Sequence, residues 1–65
     1  MIFLEKQKII IDNFQKIISI NESKIEVIID NKVYVLEGSN FHIIYFEKKE
    51  LIIEGDLNCL RRFSI

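Results

Sequence analysis

The 65-residue chain has no proline, tryptophan, alanine or threonine, and only two glycines. A single cysteine, Cys59, excludes a disulfide within the chain. Zinc normally takes four ligands, and Cys59 with the single histidine, His42, reaches four only across a symmetric dimer. We therefore expect no metal and no cofactor. A domain this short buries only about 60% of its unfolded surface, so it needs a very well-filled core or a partner.

Isoleucine dominates what is present, with fifteen copies beside three valines. Because β-branched residues favour strands and alanine, the best helix former, is absent, the composition predicts an all-β fold. The length allows one domain, residues 1–65. Nine basic and ten acidic residues give a net charge of −1, which supplies none of the counterion release that drives nucleic-acid binding.

Short apolar segments alternate with polar ones, as in a chain of strands. They predict strands at residues 8–12, 15–20, 24–29, 33–37, 41–46, 51–54 and 57–63. The last segment also fits a short helix or turn. We predict a small antiparallel β-meander curled into a barrel or sandwich. The repetition of Ile10-Ile11-Asp12-Asn13 at residues 28–31 leaves a short β-solenoid-like stack as the alternative.

Four residues mark the ends of predicted strands, because each follows an acidic residue and belongs to a type that tolerates positive φ. These candidate turn residues are Asn13, Asn31, Gly38 and Gly55. With Asn31-Lys32 at the centre, residues 24–37 form a predicted hairpin in which Ile29 faces Tyr34. Residues 47–50 form a polar loop of a second hairpin.

Several predicted strands carry apolar residues in succession and do not alternate with polar ones. Successive side chains point to opposite faces, so each such run places apolar groups on both faces of the sheet. One small domain covers one face only, and an exposed apolar patch usually marks an interface. The candidate interface residues are Ile10, Ile28, Ile44 and Ile52. A more closed fold that tolerates a few surface isoleucines is the alternative.

Three segments in order carry a family resemblance: Val35-Leu36-Glu37-Gly38, Phe41-His42-Ile43 and residues 51–55, Leu-Ile-Ile-Glu-Gly. Together with Phe14-Gln15-Lys16-Ile17, the chain from about residue 8 to residue 60 resembles the YabP/YqfC family of sporulation proteins. The resemblance implies a non-enzymatic factor of the mother cell that acts beside a membrane-protein partner. It carries no catalytic residue over to this chain.

The remaining candidates for chemistry are few. His42 and Cys59 lie four residues after Gly38 and Gly55, but no motif positions a third catalytic group. We interpret Cys59 as a buried thiol and expect no enzyme. Arg61-Arg62 either binds an acidic partner, an anionic lipid headgroup or RNA, or forms a solvated end.

We therefore expect a protein that acts by binding proteins, itself included, with a homo-oligomer as the favoured state. A small β-barrel RNA-binding module is the alternative function, although the aromatic segment 41–46 contains no cation. Charged residues directly follow residues 1–4, and no apolar run approaches the length of a membrane span. We expect no signal peptide, no membrane insertion and a cytoplasmic location.

Overall fold

The computed structural model describes residues Met1–Ile65 and contains six strands and no helix. The predicted all-β class is confirmed, and the segment for which a helix remained open is a strand. Every strand pair is antiparallel. The strands are β1 (Ile2–Glu5), β2 (Lys8–Asp12), β3 (Lys16–Ile20), β4 (Lys24–Ile29), β5 (Lys32–Glu47) and β6 (Glu50–Ser64).

All six strands belong to one sheet in the order β1-β2-β6-β5-β4-β3. The last four strands of the chain form the predicted meander, and the β1–β2 hairpin joins it through pairing of β2 with β6. Because β1 and β3 stand at the two ends, the sheet does not close on itself. Because all strands belong to one sheet and every pair is antiparallel, the structure excludes the alternative of a solenoid-like stack.

The sheet folds over about the long β5–β6 hairpin, so that its two halves pack face to face. The first half contains β1, β2, residues 41–47 of β5 and residues 50–54 of β6; the second contains β3, β4, residues 32–37 of β5 and residues 57–64 of β6. A shortest dimension of 19 Å fits two layers about 10 Å apart. One core cluster joins β2 to β4, which are not neighbours in the sheet: Ile9, Ile11, Phe14, Ile25, Val27, Ile29, Leu36, Phe41, Leu51 and Ile53.

Gly38 and Gly55 lie inside β5 and β6, so their prediction as turn residues is wrong. A Cβ atom on Gly38 would lie 1.9 Å from the carbonyl oxygen of Asp56. At Gly55, where φ is 155°, it would lie 2.7 Å from Cδ1 of Phe41. The backbones of β5 and β6 approach closely where the sheet folds over, and glycine permits that approach without ending either strand.

The predicted hairpin at residues 24–37 is confirmed, but its register differs from the prediction by two residues. Asp30 and Asn31 occupy the turn with φ of 53° and 61°, and Val27 faces Tyr34. Two positive φ values define a type I′ turn, and Asp and Asn are among the residues that adopt this conformation most readily. Asn13 also has positive φ, 56°, between β2 and β3.

Two other boundaries differ from the prediction. Lys48 and Lys49 alone connect β5 to β6, because Glu47 and Glu50 pair with each other and do not belong to the loop. The prediction also missed β1, which pairs with β2 from Ile2 to Glu5.

Candidate protein-interaction site

An apolar row crosses the outer face of the first half of the sheet. Pairing places Phe3 beside Ile10, Ile10 beside Ile52, and Ile52 beside Tyr45, one residue from each of four strands. The intervening residues of β2 and β6 are buried in the core, so these side chains point outward. Phe3 is 48% exposed and Tyr45 41%, whereas Ile10 and Ile52 are half-buried.

Two polar rows flank the apolar row, and both are dominated by carboxylates. Together they contain one lysine, one histidine and five acids, and the N-terminal ammonium lies 3.5 Å from Oδ1 of Asp12, so that five negative and two positive charges give −3 with a neutral histidine. The first row is Glu5, Lys8, Glu54 and His42; the second is Asp12, Glu50 and Glu47. Nε2 of His42 lies 3.0 Å from Oε1 of Glu54. We call the apolar row with its two flanks the acidic face.

A hydrogen bond fixes one end of the acidic face. The hydroxyl of Tyr45 donates to Oε1 of Glu47 at 2.8 Å. The bond holds the phenolic proton, and the charge of the carboxylate opposes formation of a phenolate. Both effects raise the pKa of Tyr45, with smaller contributions from desolvation and from Glu50.

We expect Glu47→Gln to lower the pKa of Tyr45 toward its ordinary value, because the variant removes the charge and weakens the acceptor. NMR detection of the Tyr45 ring during an alkaline titration measures this shift. Glu50→Gln is the matched control and should produce a smaller decrease. Equal effects of the two variants would contradict the assigned hydrogen bond.

A β-bulge disturbs the strand edge beside this face. The register of β5 against β6 shifts between Ile43 and Tyr45, which leaves Ile44 as an extra residue. Residues 43–46 are each more than 40% exposed, and Phe46 reaches 56%. This part of β5 has no neighbouring strand on its other side. A bulge twists such an edge and disfavours addition of another strand.

The four predicted interface residues are divided between the two outer faces. Ile10 and Ile52 lie in the apolar row, and Ile44 lies at the adjacent bulge. Ile28 lies on the opposite side of the molecule, on the outer face of the second half. None of the four belongs to the core cluster. The prediction omitted Phe3 because β1 was not recognised, and Tyr45 because strict alternation does not anticipate the bulge.

The outer face of the second half carries a smaller apolar row. Pairing aligns Ile28 with Val33 and Val33 with Phe63, which is 52% exposed. Charged neighbours on this face are Lys16, Lys24, Arg61, Glu26 and Glu37, which sum to +1. Arg61 forms an ion pair with Glu37. We call this surface the basic face.

His42 and Cys59 are not brought together. His42 pairs with Glu54, whereas Cys59 pairs with Glu37 beyond the fold of the hairpin. Cys59 is exposed, so its interpretation as a buried thiol is wrong. Residues 57–64 of β6 explain this exposure, because they pair with β5 on one side and have no neighbouring strand on the other. No group of three His, Cys, Asp or Glu side chains is arranged to hold a metal ion.

An apolar cleft opens between the two halves of the sheet. It has a volume of about 240 Å³, and β1 lies on one side of it with β4, β5 and β6 on the other. All six lining residues are apolar: Met1, Ile2, Leu4, Ile29, Tyr34 and Leu60.

Comparison with protein-family models, curated proteins and solved structures finds no match to this chain. The structure contains no helix long and apolar enough to cross a membrane.

Proposed function

We propose that the chain is a non-enzymatic module that binds other proteins through the acidic face. The observation that carries this proposal is the alignment of Phe3, Ile10, Ile52 and Tyr45 across four strands. The row is continuous and only partly covered, and polar groups border it on both sides. An apolar centre with a polar rim is the usual composition of a protein interface.

The charge of the acidic face favours a protein partner over RNA. Five carboxylates surround the aromatic side chains, with Lys8 as the only lysine. Nucleic-acid platforms need the opposite arrangement, because cations must offset the phosphates while aromatics stack on bases.

The resemblance to the YabP/YqfC family supplies a biological setting for the proposal. On that basis we place the protein in the mother-cell cytoplasm during sporulation, where it binds a membrane-protein partner and other copies of itself. The residues that carry the resemblance include Leu36, Phe41 and Leu51, all buried in the core. These residues build the fold, and the exposed faces provide the binding.

We expect Ile52→Lys, within the acidic face, to abolish capture of the partner from sporulating cells while the fold is kept, and Ile44→Lys, at the bulge beside that face, to weaken it. Neither side chain lies in the core, so the lysine can reach water, and its charge then interrupts the apolar contact. Affinity capture with the tagged variants, together with circular dichroism, measures both properties. Ile65→Lys is the matched control, because Ile65 is 76% exposed and lies beyond β6.

The control should retain the partner captured by the wild-type protein. A partner that binds wild type, Ile52→Lys and Ile44→Lys equally well would show that the acidic face is not the binding surface.

A further inference from the structure

We propose that the acidic face of one copy binds the basic face of a second copy, so that copies of the chain stack head to tail. The inference rests on the proposed function, because it names one partner of the acidic face. The two halves pack by their inner faces, and their outer faces therefore point in opposite directions. Each outer face presents an apolar row, and the rows are Phe3-Ile10-Ile52-Tyr45 and Ile28-Val33-Phe63.

The charges of the two faces are complementary. The acidic face carries −3 with a neutral His42 and the N-terminal ammonium included, and the basic face carries +1. Lys16 extends the row of Ile28 and Val33, so a cation lies directly beside the apolar contact. Opposite potentials across an apolar contact favour association and fix its orientation.

Two acidic faces would fit each other poorly. Such a symmetric contact would set five carboxylates of one copy against five of the other, with only Lys8 and the N-terminal ammonium of each copy to offset them. Like charges across an interface disfavour the contact. The head-to-tail arrangement avoids this repulsion and covers both apolar rows.

Strand addition at the sheet edges is also disfavoured. Register shifts interrupt two of the edges, at Ile18 in β3 and at Ile44 in β5. β1 has only four residues, and the free edge of β6 carries Arg61 and Arg62. Bulges, short strands and charges are the features by which proteins prevent edge pairing. The faces are therefore the surfaces left for self-association.

A head-to-tail contact has a consequence for assembly. Because the contacting surfaces differ, the second copy leaves its own acidic face free, and growth continues unless the copies close into a ring. Four strands about 4.8 Å apart and about five residues long form a face of only about 300 Å². Two such faces bury only about 600 Å² in total, which is below the about 1,200 Å² typical of stable specific interfaces, so we expect a weak contact that forms only at high protein concentration.

Two single-face variants test the arrangement. Ile52→Lys blocks the acidic face, and Ile28→Glu blocks the basic face. Light scattering and sedimentation up to about 1 mM protein cover the weak affinity expected of a small contact. We expect wild type to form species larger than a dimer and each variant alone to stay monomeric. An equimolar mixture should form a heterodimer and nothing larger, because each variant keeps one intact face.

Other outcomes overturn the proposal in distinguishable ways. A wild-type dimer that persists in Ile28→Glu but not in Ile52→Lys would show a symmetric contact of the acidic face. A wild-type monomer at about 1 mM, with capture of another protein still lost in Ile52→Lys, would disprove head-to-tail stacking and keep the proposed function. If a variant fails to fold by circular dichroism, Phe3→Lys and Phe63→Glu replace it, because both phenylalanines are about half exposed.

Discussion

Gly38→Ala is expected to abolish cooperative folding. The added methyl group would lie 1.9 Å from the backbone oxygen of Asp56, and backbone cannot move aside as a flexible side chain can. Relief of this clash requires β5 and β6 to separate where the sheet folds over. Domains of this size are stable by about 3–10 kcal/mol, and a clash of the methyl group with the backbone costs a large part of that.

Circular dichroism and thermal unfolding measure the effect of Gly38→Ala. Ser39→Ala is the matched control, because Ser39 is the next residue of β5 and is exposed. The control should unfold within a few degrees of wild type, since exposed substitutions usually change stability by less than about 0.5 kcal/mol. A Gly38→Ala protein as stable as the control would show that the two backbones do not approach as described.

Leu36→Ala is expected to destabilise the protein by about 2–5 kcal/mol, the cost of a cavity in a well-packed core. Leu36 is fully buried and belongs to the core cluster between the two halves of the sheet. Its cross-strand partner, Leu60, provides a matched control. Leu60 is 42% exposed and lines the open cleft, so Leu60→Ala should cost less than about 1 kcal/mol.

Urea unfolding of both variants gives the two free energies of unfolding under identical conditions. The comparison holds the chemical change and the strand register constant, so burial alone separates the variants. Equal losses would indicate that the sheet does not fold over onto Leu36, because both leucines would then be comparably exposed.

The sequence predicts the strands well where apolar residues end at a residue that tolerates positive φ. Lys8–Asp12 and Lys24–Ile29 are found as predicted, because Asn13 and Asn31 follow them in true turns. The prediction is wrong at Gly38 and Gly55 because glycine is usually depleted from strands, so its presence suggests that a strand has ended. Only the position of Asp56 on the facing strand explains why glycine is needed there.

The candidate site was predicted in part for similar reasons. Ile10 and Ile52 follow from simple alternation, because their neighbours are buried. The bulge at Ile44 moves Tyr45 into the apolar row, and nothing local in the sequence indicates a bulge there. The sequence does not predict Phe3 as part of the site because the turn between β1 and β2 is not recognisable. Gln7 adopts a positive φ of 59° in that turn, where glycine or asparagine is usual.

The pairing of β2 with β6 affects the order in which the molecule can fold during synthesis. Every other strand pair joins strands that are consecutive in the chain. β2 instead pairs with β6, so Ile9 has no partner until Ile53 has been synthesised. A hairpin of two strands is only marginally stable in water, so β1 and β2 leave the ribosome without a lasting partner. β6 is the last strand to be synthesised, and it joins β1 and β2 to the rest of the sheet by pairing with β2. Before β6 is present, the apolar side chains of β1 and β2 are exposed and accessible to chaperones.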